Sequence, residues 1–162
     1  MPKTVIVNST PIIALSSIDS LHLLKEIYGA VIIPDAVKTE IGAKNKSKAQ
    51  NKLDMSSDWI LVRKIKNTAQ KQVFRTQLHD GEVEVMILGQ ELYADLLVID
   101  DYMAREYAKY LGFKVVGTAG ILLLAKSMGL VYEVKPLVDK LIANGIYISN
   151  RLYVDIMKIA GE

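Results

Sequence analysis

Three patterns in this 162-residue chain predict an α/β fold, a parallel central sheet of four to five strands flanked by helices. Short apolar, β-branched runs recur at Val5-Ile6-Val7, Val31-Ile32-Ile33, Leu96-Leu97-Val98-Ile99 and Phe113-Lys114-Val115-Val116. Helix-like stretches of about ten residues lie between them, the alternation expected of parallel βαβ units. Glycine or proline marks most of the changeovers, where periodicity switches between strand and helix.

The elements follow in order. Val5 to Val7 reads as a short buried strand, and Pro11 opens a helix directly after it, because proline's missing N–H is not needed in a first turn. Leu21, Leu23, Leu24 and Ile27 continue that helical stripe to Gly29, the expected stop. Val31 to Ile33 is the second strand, and Pro34-Asp35 starts a helix with Val37 and Ile41 inward that ends near Gly42. From Ala43 to Lys71 a Lys/Asn/Gln-rich segment, helical or loose, contains Trp59-Ile60-Leu61-Val62, an edge strand with Trp59 as packing anchor.

Asp80-Gly81 supplies the turn and cap of a helix reaching Leu92, with Val83, Met86 and Ile87 on one side. Leu96 to Ile99 is the third clear strand, Met103 to Leu111 a helix, and Gly112 introduces the strand at Phe113. Gly117-Thr118-Ala119-Gly120 is a tight turn into an apolar helix through Ser127 and matches no phosphate-binding fingerprint. The stretch Ile121 to Ala125, apolar on nearly all sides, reads as deep burial, with a homodimer face as the second reading. Val134, Val138 and Leu141, then Leu152, Ile156 and Ile159, mark a helical pair joined by Asn144-Gly145. The whole chain, 1–162, is thus expected to be one domain, with a core over about 4–130 and a C-terminal helical extension over about 131–162.

Composition excludes several functions. The absence of cysteine removes disulfide scaffolds, thiolate metal sites and cysteine nucleophiles. A net charge of +2 points to no partner, although Lys38, Lys44, Lys46, Lys48, Lys52, Arg63, Lys64, Lys66, Lys71 and Arg75 crowd one third of the chain. Such a cluster is a solvated surface or a guide for nucleic acid. No apolar run reaches the roughly 20 residues of a membrane span and the N-terminus lacks a signal sequence, so a cytoplasmic protein without a membrane partner is expected.

The chemistry-bearing residues are oxygen donors at element ends. Asp100 and Asp101 stand where the run ending in Ile99 stops, and the carboxyl end of a buried parallel strand is where open α/β sheets place ligands. Asn8 follows the first strand, Glu40 lies on the helix after the second, and Glu82 opens the helix leading to the third. Gathering Glu40, Glu82 and Asp100 would oppose folding by roughly 4 kcal/mol per pair at about 4 Å and a dielectric near 20, a repulsion that a cation or a shifted pKa relieves. Carboxylate oxygens suit Mg²⁺ or Mn²⁺, which assist phosphodiester hydrolysis. On that reading Glu82 and Asp100 ligate directly, Glu40 and Asp101 act through water or as further ligands, and Asn8 gives its amide oxygen. Spacing alone leaves open that each acid is a separate cap or surface charge. Glu84 points about 200° away from Glu82 around a helix, and His22 and His79 read as surface or cap residues.

The ordered segments Val7-Asn8-Ser9-Thr10-Pro11-Ile12-Ile13-Ala14-Leu15, Ile33-Pro34-Asp35-Ala36-Val37-Lys38-Thr39-Glu40-Ile41, Leu78-His79-Asp80-Gly81-Glu82-Val83-Glu84-Val85 and Val98-Ile99-Asp100-Asp101, with Ala104-Arg105 and Gly112, resemble the PIN-domain nucleases. Small stand-alone members, akin to toxins of VapC-type toxin–antitoxin pairs, are most similar, over Val5 to about Lys126. The resemblance implies a parallel sheet with an acidic Mg²⁺ or Mn²⁺ pocket and hydrolysis of single-stranded or structured RNA. Position by position, the family's four acids fall on Asn8, Glu40, Glu82 and Asp100, with Asp101 adjacent, so that Glu40, Glu82 and Asp100 are the catalytic candidates. Ser9 or Thr10 matches the hydroxyl beside the first acid, Thr118 helps order the pocket, and Arg105 pairs with an acid or meets a phosphate. Asn8 departs from the family's usual Asp and removes one charge from the set. A catalytically weak PIN-like nucleic-acid-binding or regulatory module is therefore the alternative to a ribonuclease, and a phospho-receiver domain ranks third because its acids follow the first strand. Tyr147, Tyr153 and the apolar stripe of the final helices offer a face for a partner helix such as an antitoxin segment.

Overall fold

The computed structural model describes residues 1–47, 57–74 and 78–162. Five parallel strands, β1 (Val5–Val7), β2 (Val31–Pro34), β3 (Ile60–Arg63), β4 (Leu96–Val98) and β5 (Val115–Val116), form one sheet in the order β3-β2-β1-β4-β5. Ile6 lies opposite Ile32 on one side and Leu97 on the other, and Val98 pairs with both Val7 and Val116. Every residue of β1 and β4 is buried, which is why these strands are continuous apolar runs with no polar alternation. The chain winds outward from β1 to β3 and then crosses back to place β4 on the free side of β1. The order reverses between β1 and β4, and at such a switch point the flanking connections diverge and leave a crevice beyond the carboxyl ends.

The helices are α1 (Ser9–Ser17), α2 (His22–Tyr28), α3 (Asp35–Ser47), α4 (Thr68–Phe74), α5 (Asp80–Glu91), α6 (Tyr102–Tyr110), α7 (Thr118–Ser127), α8 (Lys135–Ala143) and α9 (Asn150–Ala160). The single helix expected up to Gly29 is two. Asp19 takes φ +53°, Ser20 N–H donates to the Leu15 carbonyl at 2.8 Å, and the chain turns before α2. Aspartate tolerates that left-handed conformation because its short polar side chain can bond locally. The apolar stripe nevertheless runs on, since both helices bury it in the same core.

The helix after β2 passes Gly42 and is described to Ser47; a helical glycine is only about 1 kcal/mol worse than alanine, and buried Ile41 holds that stretch to the core. Within the segment read as helical or loose, α4 is fixed at its start by Glu91, whose carboxylate accepts from the N–H groups of Lys66 at 2.7 Å and Asn67 at 2.8 Å. Of the basic cluster, Lys48, Lys52 and Arg75 lie outside the described residues.

Val134, Val138, Leu141 and Ile156 of the C-terminal region are buried in the same apolar cluster as β1 and β4. Glu162 ties this region down by accepting from Lys126 Nζ at 2.9 Å and from the N–H groups of Val134 at 2.8 Å and Lys135 at 2.9 Å. Those donors, the Lys126 ammonium first, pull its carboxyl down to about 2. On α7, Ile121, Leu122 and Ala125 are fully buried. Among the described residues no helix is long and apolar enough to cross a membrane.

Candidate active site

The switch point carries the acids. Asn8 caps β1, and its N–H donates to the Val98 carbonyl at 3.0 Å, holding the ends of β1 and β4 level. Two residues beyond Val98, Asp100 is gripped by the first residue of α7: Thr118 donates its N–H to Oδ1 at 2.7 Å and its hydroxyl to Oδ2 at 2.6 Å. This grip needs the glycine before it. A Cβ on Gly117 would lie 2.9 Å from both Asp100 Oδ1 and Arg105 Nη1. Asp101 is the N-cap of α6, with Oδ2 accepting from the Ala104 N–H at 2.9 Å. One turn on, Arg105 brings its guanidinium to Gly117, and among the described residues no carboxylate lies within ion-pairing distance of it. The expected ion pair of Arg105 is therefore not formed; Asp100 and Asp101 are already satisfied by neutral donors.

Glu82, in the first turn of α5, is 6% exposed and reaches back to accept from the His79 N–H at 3.1 Å, half of a capping box. Burial raises its carboxyl above the usual range, and the charges of Asp101 and Glu40 push the same way against the His79 hydrogen bond. Glu40 stands behind it on α3, accepting from Ser9 Oγ at 2.6 Å and from the Gly81 N–H at 2.8 Å. A Cβ on Gly81 would meet the two Glu40 oxygens at 2.6 and 2.7 Å, so glycine at the second position of α5 is what lets α1, α3 and α5 meet through one carboxylate. Asn8 is 3% exposed, and its Oδ1 has no hydrogen-bond partner among the described residues.

A pocket of about 530 Å³ opens here. Glu82, Asp100, Asp101, Arg105, Thr10, Thr118 and His79 supply its polar lining. Val138, Leu141, Ile146, Tyr147, Ile148 and Leu152, from α8, α9 and their connection, supply its apolar lining. Glu40, Asn8 and Ser9 do not line it. The structure thus brings Glu82, Asp100 and Asp101 to one space and sets Glu40 behind it, because Ser9 and Gly81 offer that carboxylate two donors. Glu84 turns away, as its helical phase requires, and accepts from the Ala36 N–H at 3.2 Å and Lys71 Nζ at 2.7 Å.

The donor chemistry suits a hard divalent cation: the carboxylates present only oxygens, Asn8 Oδ1 is an unsatisfied acceptor, and the like charges around Glu82 are what a cation would relieve. Among the described residues no three acids close into a ready cage, since hydroxyl and N–H donors hold them apart. Sequence reasoning passed over Gly81 and Gly117 as ordinary turn residues; His79 is the N-cap of α5, as one of its two readings had it, and also lines the pocket. The position of Gly81 directly before Glu82 was the available signal. The apolar face of the final helices was legible in the sequence, but its place beside the acids was not, being remote in sequence.

A parallel sheet ordered 3-2-1-4-5 with carboxylates at its switch point defines an open α/β protein with a ligand crevice lined by acids. A family model described as PIN domain matches residues 4–162, and the chain belongs to that family, whose members are generally nucleases that use divalent metal ions. Among solved structures, a PilT N-terminus domain protein of the hyperthermophilic archaeon Sulfolobus solfataricus P2 is similar, with a TM-score of 0.53 and 16% identity over 73% of this chain and 89% of that one. At that identity the likeness concerns the fold. No curated protein matches the chain.

Proposed function

We propose that the protein is a divalent-metal-dependent endoribonuclease, using Mg²⁺ or Mn²⁺, and the toxin of a toxin–antitoxin pair in the cytoplasm. The observation that carries this reading is the meeting of Glu82, Asp100 and Asp101 on one pocket, with Glu82 held up by burial and by neighbouring negative charge. These three carboxylates would hold the cation, and Asn8 Oδ1, buried at the end of β1, is the neutral oxygen at the position of the family's first acid. A cation bound there supplies charge neutralisation at the phosphodiester and a more acidic water. The chain's own residues do the rest. Thr118 keeps Asp100 in one orientation through two hydrogen bonds. Glu40 fixes the start of α5, and hence Glu82, through the Gly81 N–H. Arg105 offers an uncommitted guanidinium to a phosphate oxygen.

Asn8 favours a second reading, a PIN-like module that binds nucleic acid with little catalysis, because the buried amide leaves the site one charge short of the family pattern. Cleavage of end-labelled RNA in Mn²⁺ separates the two. Activity in the wild type that is abolished by Asp100→Asn and by Glu82→Gln, and raised by Asn8→Asp, supports the nuclease. Silence in both wild type and Asn8→Asp removes it. The toxin assignment is tested by co-purification from the native host, where recovery of this chain alone counts against a bound antitoxin.

A further inference from the structure

Resting on the nuclease reading, we infer that the apolar wall built by the α8–α9 connection is a subsite for one unpaired nucleobase, with Tyr147 as its stacking platform. A cation or a bare phosphate has no use for the half-buried Ile146 and Ile148 and the exposed Leu152 that line the same pocket as the carboxylates. A nucleotide does, being anionic at one end and an apolar plane at the other. The volume of about 530 Å³ lies within the roughly 300–1,000 Å³ of pockets that enclose a single small ligand, which suits one nucleotide and no duplex. The charges sort its orientation. Arg105, which no described carboxylate neutralises at ion-pair range, and a cation held by the three carboxylates would draw the phosphate to the Asp100 side, leaving the base toward α9.

Tyr147 is 89% exposed and its hydroxyl makes no hydrogen bond to any described residue, so the ring is committed to no partner. Its backbone is nevertheless pinned on both sides. Asn144 Nδ2 donates to the Ser17 carbonyl at 3.0 Å, and Ser149 Oγ caps α9 by accepting from the Leu152 N–H at 3.1 Å. An exposed aromatic ring on an anchored connection is the arrangement by which proteins stack unpaired bases without reading their identity. The subsite therefore selects for an unpaired or extruded nucleotide at the position of cleavage and tolerates any base.

The test is anisotropy of a short fluorescein-labelled single-stranded RNA in EDTA, so that turnover does not intervene, beside cleavage kinetics in Mn²⁺. Replacing a stacking aromatic by alanine weakens binding by about tenfold or more, so Tyr147→Ala loses about tenfold in affinity and raises KM while sparing kcat, whereas Tyr147→Phe stays within about twofold. The same RNA annealed into a duplex binds at least about tenfold more weakly than the single strand. Wild-type affinity in Tyr147→Ala overturns the subsite and leaves a protein partner as the occupant of that wall; equal affinity for the duplex overturns the requirement for an unpaired base. Binding that depends on Tyr147 without cleavage sinks the nuclease reading and keeps the subsite, and cleavage with a KM indifferent to Tyr147→Ala does the reverse.

Discussion

Gly81→Ala tests how the site is held together, because two effects of known size oppose each other at one atom. Gly81 sits inside the first turn of α5 with an ordinary helical backbone, so alanine there gains up to about 1 kcal/mol of helix propensity. Its Cβ, however, would stand 2.6–2.7 Å from both Glu40 oxygens, and the carboxylate has to leave. Leaving gives up the bonds from Gly81 N–H at 2.8 Å and Ser9 Oγ at 2.6 Å. Hydrogen bonds to a charged group contribute about 1.5–3 kcal/mol each, and hydration of the freed carboxylate returns part of the 3–6 kcal/mol total. Net of the helix gain, the substitution destabilises by about 1–3 kcal/mol, or some 2–12 °C in Tm for a chain of this size. The decisive assay repeats thermal unfolding in a Glu40→Ala background, where the three atoms nearest the new methyl are gone. There Gly81→Ala raises stability by up to about 1 kcal/mol, so the sign of the effect reverses. The same sign in both backgrounds would refute the claim that Glu40 is what requires a glycine.

Three further outcomes follow from the same geometry. Glu82→Gln keeps the capping acceptor and removes the charge that burial disfavours; because the folded carboxyl lies above its ordinary 4.5, its stability contribution falls as pH rises from 4.5 through the folded value, and urea titrations at pH 4 and 7 should show the variant gaining on wild type at the higher pH. Glu162 has the opposite sign: with a folded value of about 2 its contribution is whole above 4.5 and is lost as pH falls toward 2, so Glu162→Gln flattens the acid limb of the stability curve, and an unchanged limb would exclude the tether. Mn²⁺ at about 100 times its Kd stabilises by about 2.7 kcal/mol; the shift in Tm should appear at lower Mn²⁺ in Asn8→Asp and vanish in Glu82→Gln, and an equal shift in all three proteins would place the ion elsewhere.

Much of the fold is legible in the primary order because burial on both faces writes β1, β2 and β4 as unbroken aliphatic runs. The helices between them declare their phase through residues such as Val37 and Ile41, and Val83 and Ile87. What escaped notice was local chemistry that overrides pattern. A left-handed Asp19 cuts one apolar stripe into two helices, and Glu91 recruits α4 from a segment with no clear periodicity. The acids were visible as element-end residues, yet their grouping was not. Whether Glu40 faces the pocket or backs it depends on Gly81 and Ser9, which belong to two other helices.

Strand identity, the order of βα units and the roster of oxygen donors were determined by the amino-acid order, since each rests on interactions among near neighbours: hydrophobic period, capping and turn chemistry. Tertiary structure alone decided which donors share a space, which glycines admit them, that Arg105 meets no carboxylate among the described residues, and that residues from 138 to 152 line the same pocket. These are long-range matters settled by packing, because only after α8 and α9 dock through Val138, Leu141 and Ile156 does a surface remote in sequence come to share a pocket with Asp100.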